Sequence, residues 1–388
     1  MNELAGARTS GWLHTLRWMA ALSVVMTHLN NRLFAPLHAI HISVRGLPLL
    51  GWTFVTGFAH QAVILFFVMS GYLVGGSALL ELRRTGSFDV GGYLRKRVVR
   101  LVVVLWPALA LGAVLDHVGG SLASGPYAGL ATGPATLGCN AVFLQTIACA
   151  PYGTNGALWS LANEFWYYVL FALVVVAWTS GSRRWRSIAA IAAVSVAAAV
   201  CFARFATFPI LPYFAIWALG LVPFVQPRPW ITRTVRQSLA VFVAVLFGVR
   251  IGFRAENWEV PWKAFFLDVV VAGSFTNLLI ALRNTADQRP IRGHAVHRWA
   301  AEFSYSLYAT HVPVLTLALV AASVSCGAIP LVNPRGWSAP LIVAFIACAG
   351  IVAFLFSLAT ERQTARARLI AYRLFSRRDQ KEPRRPRG

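Results

Sequence analysis

Long apolar segments, separated by short and mostly basic polar loops, recur along almost the whole chain. A helix needs about 20 apolar residues to cross the ~30 Å hydrocarbon core of a bilayer. We therefore predict spanning helices at residues 12–30, 58–80, 98–116, 158–179, 187–203, 208–225, 238–252, 263–282, 299–322 and 339–360. A shorter run, 135–148, is interrupted by Gly138 and Asn140 and is interpreted as a re-entrant or interfacial hairpin. The pattern predicts an all-α polytopic membrane bundle of about ten transmembrane helices.

The composition excludes a soluble enzyme, a disordered chain and a disulfide-framed secreted domain. The chain has 388 residues, of which 57% are hydrophobic and only 12% are charged. A soluble domain carries about 25% charged residues, so this chain has too few to cover a soluble surface. The sequence is therefore that of a multi-pass membrane protein.

The formal charge of +22 arises from the distribution of arginine between the predicted spans. Basic residues concentrate in alternate loops, and no Lys or Arg occurs between Arg100 and Arg183. Under the positive-inside rule, both termini and the basic loops are predicted to be cytoplasmic, in a cell inner (plasma) membrane. The expected partner of the excess charge is thus membrane lipid and not nucleic acid. We divide the chain into a membrane domain, 1–362, and a basic tail, 363–388, along the anionic inner leaflet.

The first predicted span carries a cation and an imidazole on one face. Arg17 and His28 are eleven residues apart, which is roughly three helical turns plus 20° and a rise of about 16 Å. Because Arg17 interrupts the apolar core and no A-x-A site follows, we expect a retained span and not a signal peptide. The alternative is structural: Arg17 snorkels to the interface and His28 lies at the other one.

A second basic pair stands at the cytoplasmic mouth of the third span. Arg97 and Arg100, at i and i+3, share a helix face. Guanidinium forks suit phosphate groups, so the pair is a candidate phosphate site. An ordinary positive-inside cluster explains the same residues.

A polar stripe interrupts the fourth span. Ser160, Glu164 and Tyr168, at i, i+4 and i+8, lie on one face, next to Trp159. A carboxylate at membrane depth must be paired or protonated, so Glu164 is a functional candidate. The alternative is a structural clamp that holds the hairpin.

The ninth span has a similar face. Ser304, Tyr308 and His311 lie at i, i+4 and i+7, and Pro313 predicts a kink after the histidine. The alternative is adhesion between helices through these polar groups.

Other residues suggest structural roles. We expect Asp268, a lone acid in a span, to pair with a neighbouring arginine, and Ser70 with Gly71 to allow close helix packing. The sequence contains no metal-ligand set, phosphate-binding loop or dinucleotide motif. Five cysteines fit no disulfide framework; a bridge between Cys139 and Cys149 and buried free thiols both remain open.

Several of these segments, in order, resemble the acyltransferase-3 family of integral membrane O-acyltransferases. The matching pieces are Arg17 with His28, the segment 66–73, Arg97 with Arg100 and Pro107, the segment 140–145, the segment 158–161 with Glu164, the segment 304–308 with His311 and Pro313, and Glu361 with Arg362. The resemblance implies transfer of an acyl group, usually acetyl from acetyl-CoA, to a hydroxyl of a surface or lipid-linked glycan. It ties Arg17, His28, Arg97 and Arg100 to activity, whereas residues 162–163 and 309–310 depart from the common pattern.

Taken together, these observations predict one set of roles. His28 is predicted to act as general base, with Glu164 or His311 as the group that orients it. Arg17, Arg97 and Arg100 are predicted to bind the phosphates of the acyl-CoA donor, which is a substrate and not a tightly bound cofactor. The predicted substrate-binding residues are Trp159, Ser160, Tyr168, Ser304 and Tyr308, and no metal is expected. A covalent acyl-histidine is the alternative mechanism.

Two other classes of function also fit a polytopic chain with intramembrane ionisable residues. A glycan transporter or flippase would have them, although paired, interrupted helices are not seen. A non-catalytic scaffold for glycan assembly is the third interpretation. The sequence does not indicate the acceptor, the acyl chain or the oligomeric state.

Overall fold

The computed structural model describes residues 6–35, 46–201, 210–252, 261–327 and 338–379. Within these ranges the regular elements are all helical, apart from one isolated backbone bridge between Gln145 and Cys149. The α-helices are α1 (Ala7–Leu33), α2 (Leu47–Val55), α3 (Ala59–Ser70), α4 (Gly76–Thr85), α5 (Val90–Leu122), α6 (Pro134–Ala141), α7 (Trp159–Thr179), α8 (Arg183–Cys201), α9 (Ile210–Leu219), α10 (Val235–Gly252), α11 (Pro261–Arg283), α12 (His294–Ala301), α13 (Ser304–Cys326), α14 (Ser338–Ala359) and α15 (Thr364–Asp379). The all-α prediction is confirmed for the described residues.

Seven helical segments in the described ranges are long and apolar enough to cross a membrane. They are Leu47–Thr85, Val90–Leu122, Gly156–Thr179, Val235–Gly252, Trp262–Arg283, Ser304–Ser325 and Ala339–Arg373. Three predicted spans are not among the seven: 12–30, 187–203 and 208–225, which correspond to α1, α8 and α9. Residues 202–203 and 208–209 of these spans lie outside the described ranges. The count of ten spans is therefore not confirmed. In α1 the polar residues, Arg17 and His28 among them, lower the hydropathy.

The centre of the bundle is formed by α1, α5 and α13. Helix α13 packs against α1, α5 and α14, while α1 also packs against α3 and α12. A short helix, α12, and a break at Glu302 precede α13, so this span begins at Ser304 and not at the predicted residue 299. The faces of α1 and α13 that carry the candidate polar residues are thus turned toward the centre.

A close backbone contact joins α3 to α9. A π-helical segment, Gly71–Gly75, follows α3, and a Cβ atom at Gly71 would collide with the carbonyl oxygen of Trp217. Gly220 in turn faces the backbone at Val68 and Tyr72. The expectation that Gly71 permits close packing is confirmed.

Pro313 lies inside α13 and removes one helical hydrogen bond. The acceptor that it leaves without a helical donor is the carbonyl of Ala309, four residues earlier. The side-chain Nδ2 of Asn155 donates to that carbonyl at 2.8 Å. The loop before α7 is therefore attached to α13 at the turn that contains His311.

The segment predicted as a re-entrant hairpin forms α6 and a compact series of turns. Cys139 and Cys149 form a disulfide within it, which resolves the pairing left open by the sequence. Asn140 is fully buried and donates to the carbonyl of Ala150, while Trp166 donates to the carbonyl of Phe143. The first bond closes the loop on itself, and the second holds it against α7.

Within the described residues Asp268 is paired with a histidine and a tyrosine and not with an arginine, which contradicts that expectation there. Its carboxylate contacts His60 Nε2 at 2.6 Å and accepts a hydrogen bond from the Tyr213 hydroxyl at 2.6 Å. The acid is 1% exposed, and these two polar partners come from α3 and α9. The partners could not be chosen from the sequence because they lie about 208 and 55 residues away along the chain.

The contact between α3 and α9 yields a stability prediction. Gly71→Ala forces the two backbones apart, so we expect a loss of about 1–3 kcal/mol in the free energy of unfolding. Gly273→Ala in α11 is the matched control, because its Cβ would meet no atom within 4 Å. Thermal unfolding of the purified protein in detergent measures both; equal midpoints for the two variants would contradict the close contact.

Candidate functional site

A narrow cavity of about 80 Å³ lies between α1, α3, α5, α7 and α13, and we call it the inner cavity. It is lined by Arg17, Phe66, Phe67, Met69, Ser70, Leu73, Val74, Arg100, Ser160, Leu161, Glu164, Ser304, Tyr305 and Tyr308. Six residues predicted from the sequence thus meet there: Arg17, Arg100, Ser160, Glu164, Ser304 and Tyr308.

The carboxylate of Glu164 is held by hydroxyl groups. Ser70 Oγ donates to Glu164 Oε1 at 2.6 Å, and the Tyr168 hydroxyl donates to the same oxygen. Trp217 Nε1 donates to Ser70 Oγ at 3.1 Å, which orients that hydroxyl. Tyr168 is buried and acts here through Glu164, because it lies outside the lining of the inner cavity.

Arg17 is paired with an acid from the far end of the sequence. Its Nη2 lies 3.2 Å from Glu361 Oε1, and Glu361 Oε2 accepts from the backbone N and the Oγ of Ser306, both at 3.1 Å. Ser306 is in the first turn of α13, and Glu361 directly follows α14. The ion pair therefore ties α1, α13 and the end of α14 together at one side of the inner cavity.

A wider and strongly basic space adjoins the inner cavity, and we call it the basic vestibule. Its volume is about 490 Å³, and it is lined by His14, Arg17, Arg100, Arg298, Ala301, Glu302, Tyr305, Glu361, Arg362, Thr364, Ala365 and Arg368. Arg17, Arg100 and Tyr305 line both spaces. The Tyr305 hydroxyl is buried without a hydrogen-bond partner in the described part of the chain.

The two arginines of the Arg-x-x-Arg pair differ in their surroundings. Arg100 lines both the inner cavity and the basic vestibule. Arg97 lines neither of them: its Nη2 donates to Ser77 Oγ at 3.0 Å and its guanidinium lies 5.8 Å from the centre of the Tyr93 ring. Of the pair, Arg100 has the more direct access to a ligand.

His28, which is half-buried, and His311 form a pair of adjacent rings. Their ring centres are 5.1 Å apart, and His311 is fully buried. His311 Nδ1 lies 2.7 Å from the carbonyl oxygen of Tyr308, which requires the proton on Nδ1. His311 Nε2 then carries a lone pair and has no hydrogen-bond partner among the described residues. His28 Nδ1 faces a donor, Arg32 Nη1, at 3.2 Å.

Of Arg17 and His28, which their spacing places on one face of α1, only Arg17 lines the inner cavity. His28 and His311 lie outside the inner cavity, which ends at Tyr308, whose ring centre is 5.8 Å from that of His311. The Tyr308 hydroxyl is fixed by Ser160 at 2.7 Å. The expected direct contact between Glu164 and His28 is likewise absent from the hydrogen bonds of the described residues. Helix spacing fixes the face on which a residue lies but not the direction of its side chain, and this explains why the expected contact could not be judged from the sequence.

Trp159 also lies outside the inner cavity. Its ring packs edge-on against Phe67 with ring centres 6.1 Å apart.

Among the residues that the structure describes, no group of three or more His, Cys, Asp or Glu side chains is arranged to hold a metal ion.

Four residues at the site were missed as candidates: Ser70, Tyr305, Glu361 and Arg32. The sequence predicts only a packing role for Ser70, and Tyr305 lies one position outside the polar face of its span. Glu361 carried a usable signal, because an acid at the end of a long apolar segment is unusual. Arg32 had none, since a basic residue after a span is ordinary.

The comparison with protein families is informative, whereas no curated protein and no solved structure matches the chain. The family model Acyl_transf_3, described as an acyltransferase domain, matches residues 10–362, which is nearly the whole chain. That range contains all the residues of the inner cavity and both histidines. The chain therefore belongs to the acyltransferase-3 family and is a multi-pass membrane acyltransferase that transfers acyl groups other than aminoacyl groups.

Proposed function

We propose that this protein transfers an acyl group, acetyl in the simplest case, from acyl-CoA to a hydroxyl of a surface or lipid-linked glycan. The observation that carries the proposal is that two adjoining spaces lead toward the histidine pair. The basic vestibule opens into the inner cavity through Arg17 and Arg100, and the inner cavity ends at Tyr308, next to the His28–His311 pair.

The charge of the basic vestibule suits the nucleotide end of coenzyme A. Five guanidinium groups line it, against the carboxylates of Glu302 and Glu361. Guanidinium groups bind phosphate oxygens through paired, charge-assisted hydrogen bonds. Arg17 is already engaged by Glu361, so Arg100 is the best-placed cation at the entrance to the inner cavity.

The dimensions of the site suit an extended donor arm. The rise of α1 from Arg17 to His28 is about 16 Å, comparable with the length of a pantetheine arm. In this arrangement Glu164 faces the arm and accepts from one of its amide N–H groups, while Ser160, Ser304 and Tyr308 line its path. Tyr308 must shift for the thioester to reach the histidines.

The chemistry assigned to the histidines is general base catalysis. His28 takes the proton of the acceptor hydroxyl as its oxygen attacks the thioester carbonyl; the new C–O bond forms, the C–S bond breaks, and the proton passes to the leaving thiolate. His311 is the positioning residue, because its ring packs on His28 and its own Nδ1 is tied to the backbone.

We further propose that ten segments cross the plasma membrane with both termini in the cytoplasm. The disulfide between Cys139 and Cys149 supports this orientation, because disulfides persist outside the cytoplasm. The concentration of arginine around the basic vestibule supports a cytoplasmic position for the opposite end.

Donor recognition is tested with two donors. Arg100→Ala is expected to raise the KM for acetyl-CoA by about 10–100-fold, because a charge-assisted bond worth about 1.5–3 kcal/mol is lost. The KM for acetyl-pantetheine, which lacks the nucleotide phosphates, is expected to change by less than about twofold. Thiol release by purified protein with a glycan acceptor measures both values.

The matched control is Arg184→Ala, which removes an exposed basic residue of α8. Its KM for acetyl-CoA should equal that of the parent protein. An equal rise in KM for both donors in Arg100→Ala would contradict phosphate binding by Arg100.

The role of His28 is tested by His28→Ala, with His117→Ala at the exposed end of α5 as control. Removal of a general base is expected to lower kcat for acyl transfer by about 10²–10⁴-fold while acetyl-CoA binding persists. Labelled acetyl trapped on His28 without acceptor would overturn direct transfer in favour of the covalent mechanism. Absence of thiol release from the parent protein would favour a transporter or flippase.

A further inference from the structure

We propose that a second cavity, at the opposite end of the bundle from the basic vestibule, binds the sugar acceptor. This outer cavity has a volume of about 550 Å³ and is lined by residues that include Arg32, Thr154, Gly156, Thr316, Val320 and Ser323. The proposal rests on the proposed acyl transfer and adds to it the acceptor site and the side of the membrane from which the acceptor enters.

Helix geometry separates the outer cavity from the donor entrance. Along α1, Arg17 lines the inner cavity and Arg32 lines the outer one, and fifteen residues rise by about 22 Å. Along α13, Tyr305 and Ser323 line the basic vestibule and the outer cavity, a rise of about 27 Å. The two spaces therefore open at opposite ends of the same two helices.

The histidine pair is closer to the outer cavity than to the donor entrance. Arg32 lines the outer cavity, and its Nη1 lies 3.2 Å from His28 Nδ1 and 3.2 Å from the carbonyl oxygen of His28. Guanidinium can only donate, so His28 Nδ1 is the acceptor in this contact. One side chain thus links the outer cavity to the nitrogen that would act as base.

The wall of the outer cavity is fixed before any ligand binds. Asp116 at the end of α5 accepts from the backbone N of Thr154 at 2.9 Å and from its Oγ1 at 2.6 Å. Asn155 donates to Ala309 in α13, and the disulfide-bridged turns precede this loop. Prior fixation lowers the entropy cost of holding an acceptor.

The lining suits a carbohydrate of about one or two sugar units. Thr154 Oγ1 donates to Asp116 and Thr316 Oγ1 donates to the Val312 carbonyl, so both retain lone pairs for sugar hydroxyls. Val320 and Leu319 offer apolar surface to the C–H faces of a ring. A mixed lining of apolar surface and a few polar groups, in a volume of about 300–1,000 Å³, is usual for small-ligand sites.

The same contact suggests how the acceptor is activated. A sugar hydroxyl that enters from the outer cavity replaces Arg32 at His28 Nδ1 and gives its proton to that nitrogen during attack on the thioester. The displaced guanidinium then donates to oxygens of the sugar. The acyl group arrives on the donor from the basic vestibule, and the acylated sugar leaves on the opposite side of the membrane.

The first experiment tests sidedness in sealed membrane vesicles of known orientation. The probes are labelled acetyl-CoA and the surface polysaccharide of the native host, freed of O-acyl groups by mild alkali. With acetyl-CoA on the side of the basic vestibule, label should enter polysaccharide only when the polysaccharide is on the opposite side. Labelling only from the vestibule side would overturn the proposal.

The second experiment fills the outer cavity. Gly156→Phe adds a bulky side chain at a residue that lines this cavity, and its Cβ is accommodated, since a Cβ at Gly156 would meet no atom within 4 Å. We expect acetyl transfer to the polysaccharide to fall on the order of 100-fold. Binding of labelled acetyl-CoA should stay within about twofold, which also shows that the variant is folded.

Gly138→Phe is the matched control, because Gly138 lies on the same side in α6, also has an open Cβ position and does not line the outer cavity. Equal transfer by Gly156→Phe and Gly138→Phe, with an active parent protein, would overturn the outer acceptor site alone. A parent protein that neither binds acetyl-CoA nor transfers acetyl would instead refute the proposed function.

Discussion

The ion pair between Arg17 and Glu361 is the interaction on which the rest of the site depends. A buried guanidinium is costly at membrane depth unless a carboxylate and further hydrogen bonds compensate for lost water. Glu361 meets this need because Ser306 donates to its second oxygen twice. The ion pair fixes the relative position of α1, α13 and the end of α14 along the helix axes. It therefore determines which residues of α1 and α13 face each other in the following turns.

The fold was largely predictable because apolar length alone predicts helices in a membrane. Helix faces were predictable as well: Ser160 with Glu164, and Ser304 with Tyr308, line one cavity as their spacing indicates. The separation of the inner cavity from the histidine pair was not predictable. It depends on the position of Tyr308, whose hydroxyl is hydrogen-bonded to Ser160 of another helix.

Long-range polar partners explain the other differences. Asp268, Glu164 and Glu361 each find hydroxyl or ring donors on helices distant in sequence. The amino-acid sequence shows which acidic residues need a polar partner, but it does not show which helix supplies that partner. The π-helical segment after Ser70 is a related case, because it depends on the fit of Gly71 against the α9 backbone and not on local propensity.

The position of the histidine pair suggests that donor and acceptor bind at different positions along the interface between α1 and α13. His28 lies one helical turn from Arg32 and about three turns from Arg17, so the proposed base is next to the outer cavity and remote from the cations proposed to bind phosphate. A donor with a long flexible arm can bridge that separation, whereas a sugar hydroxyl must come within hydrogen-bond distance of the imidazole. The geometry therefore favours a donor that reaches across the membrane and an acceptor that stays where the base is.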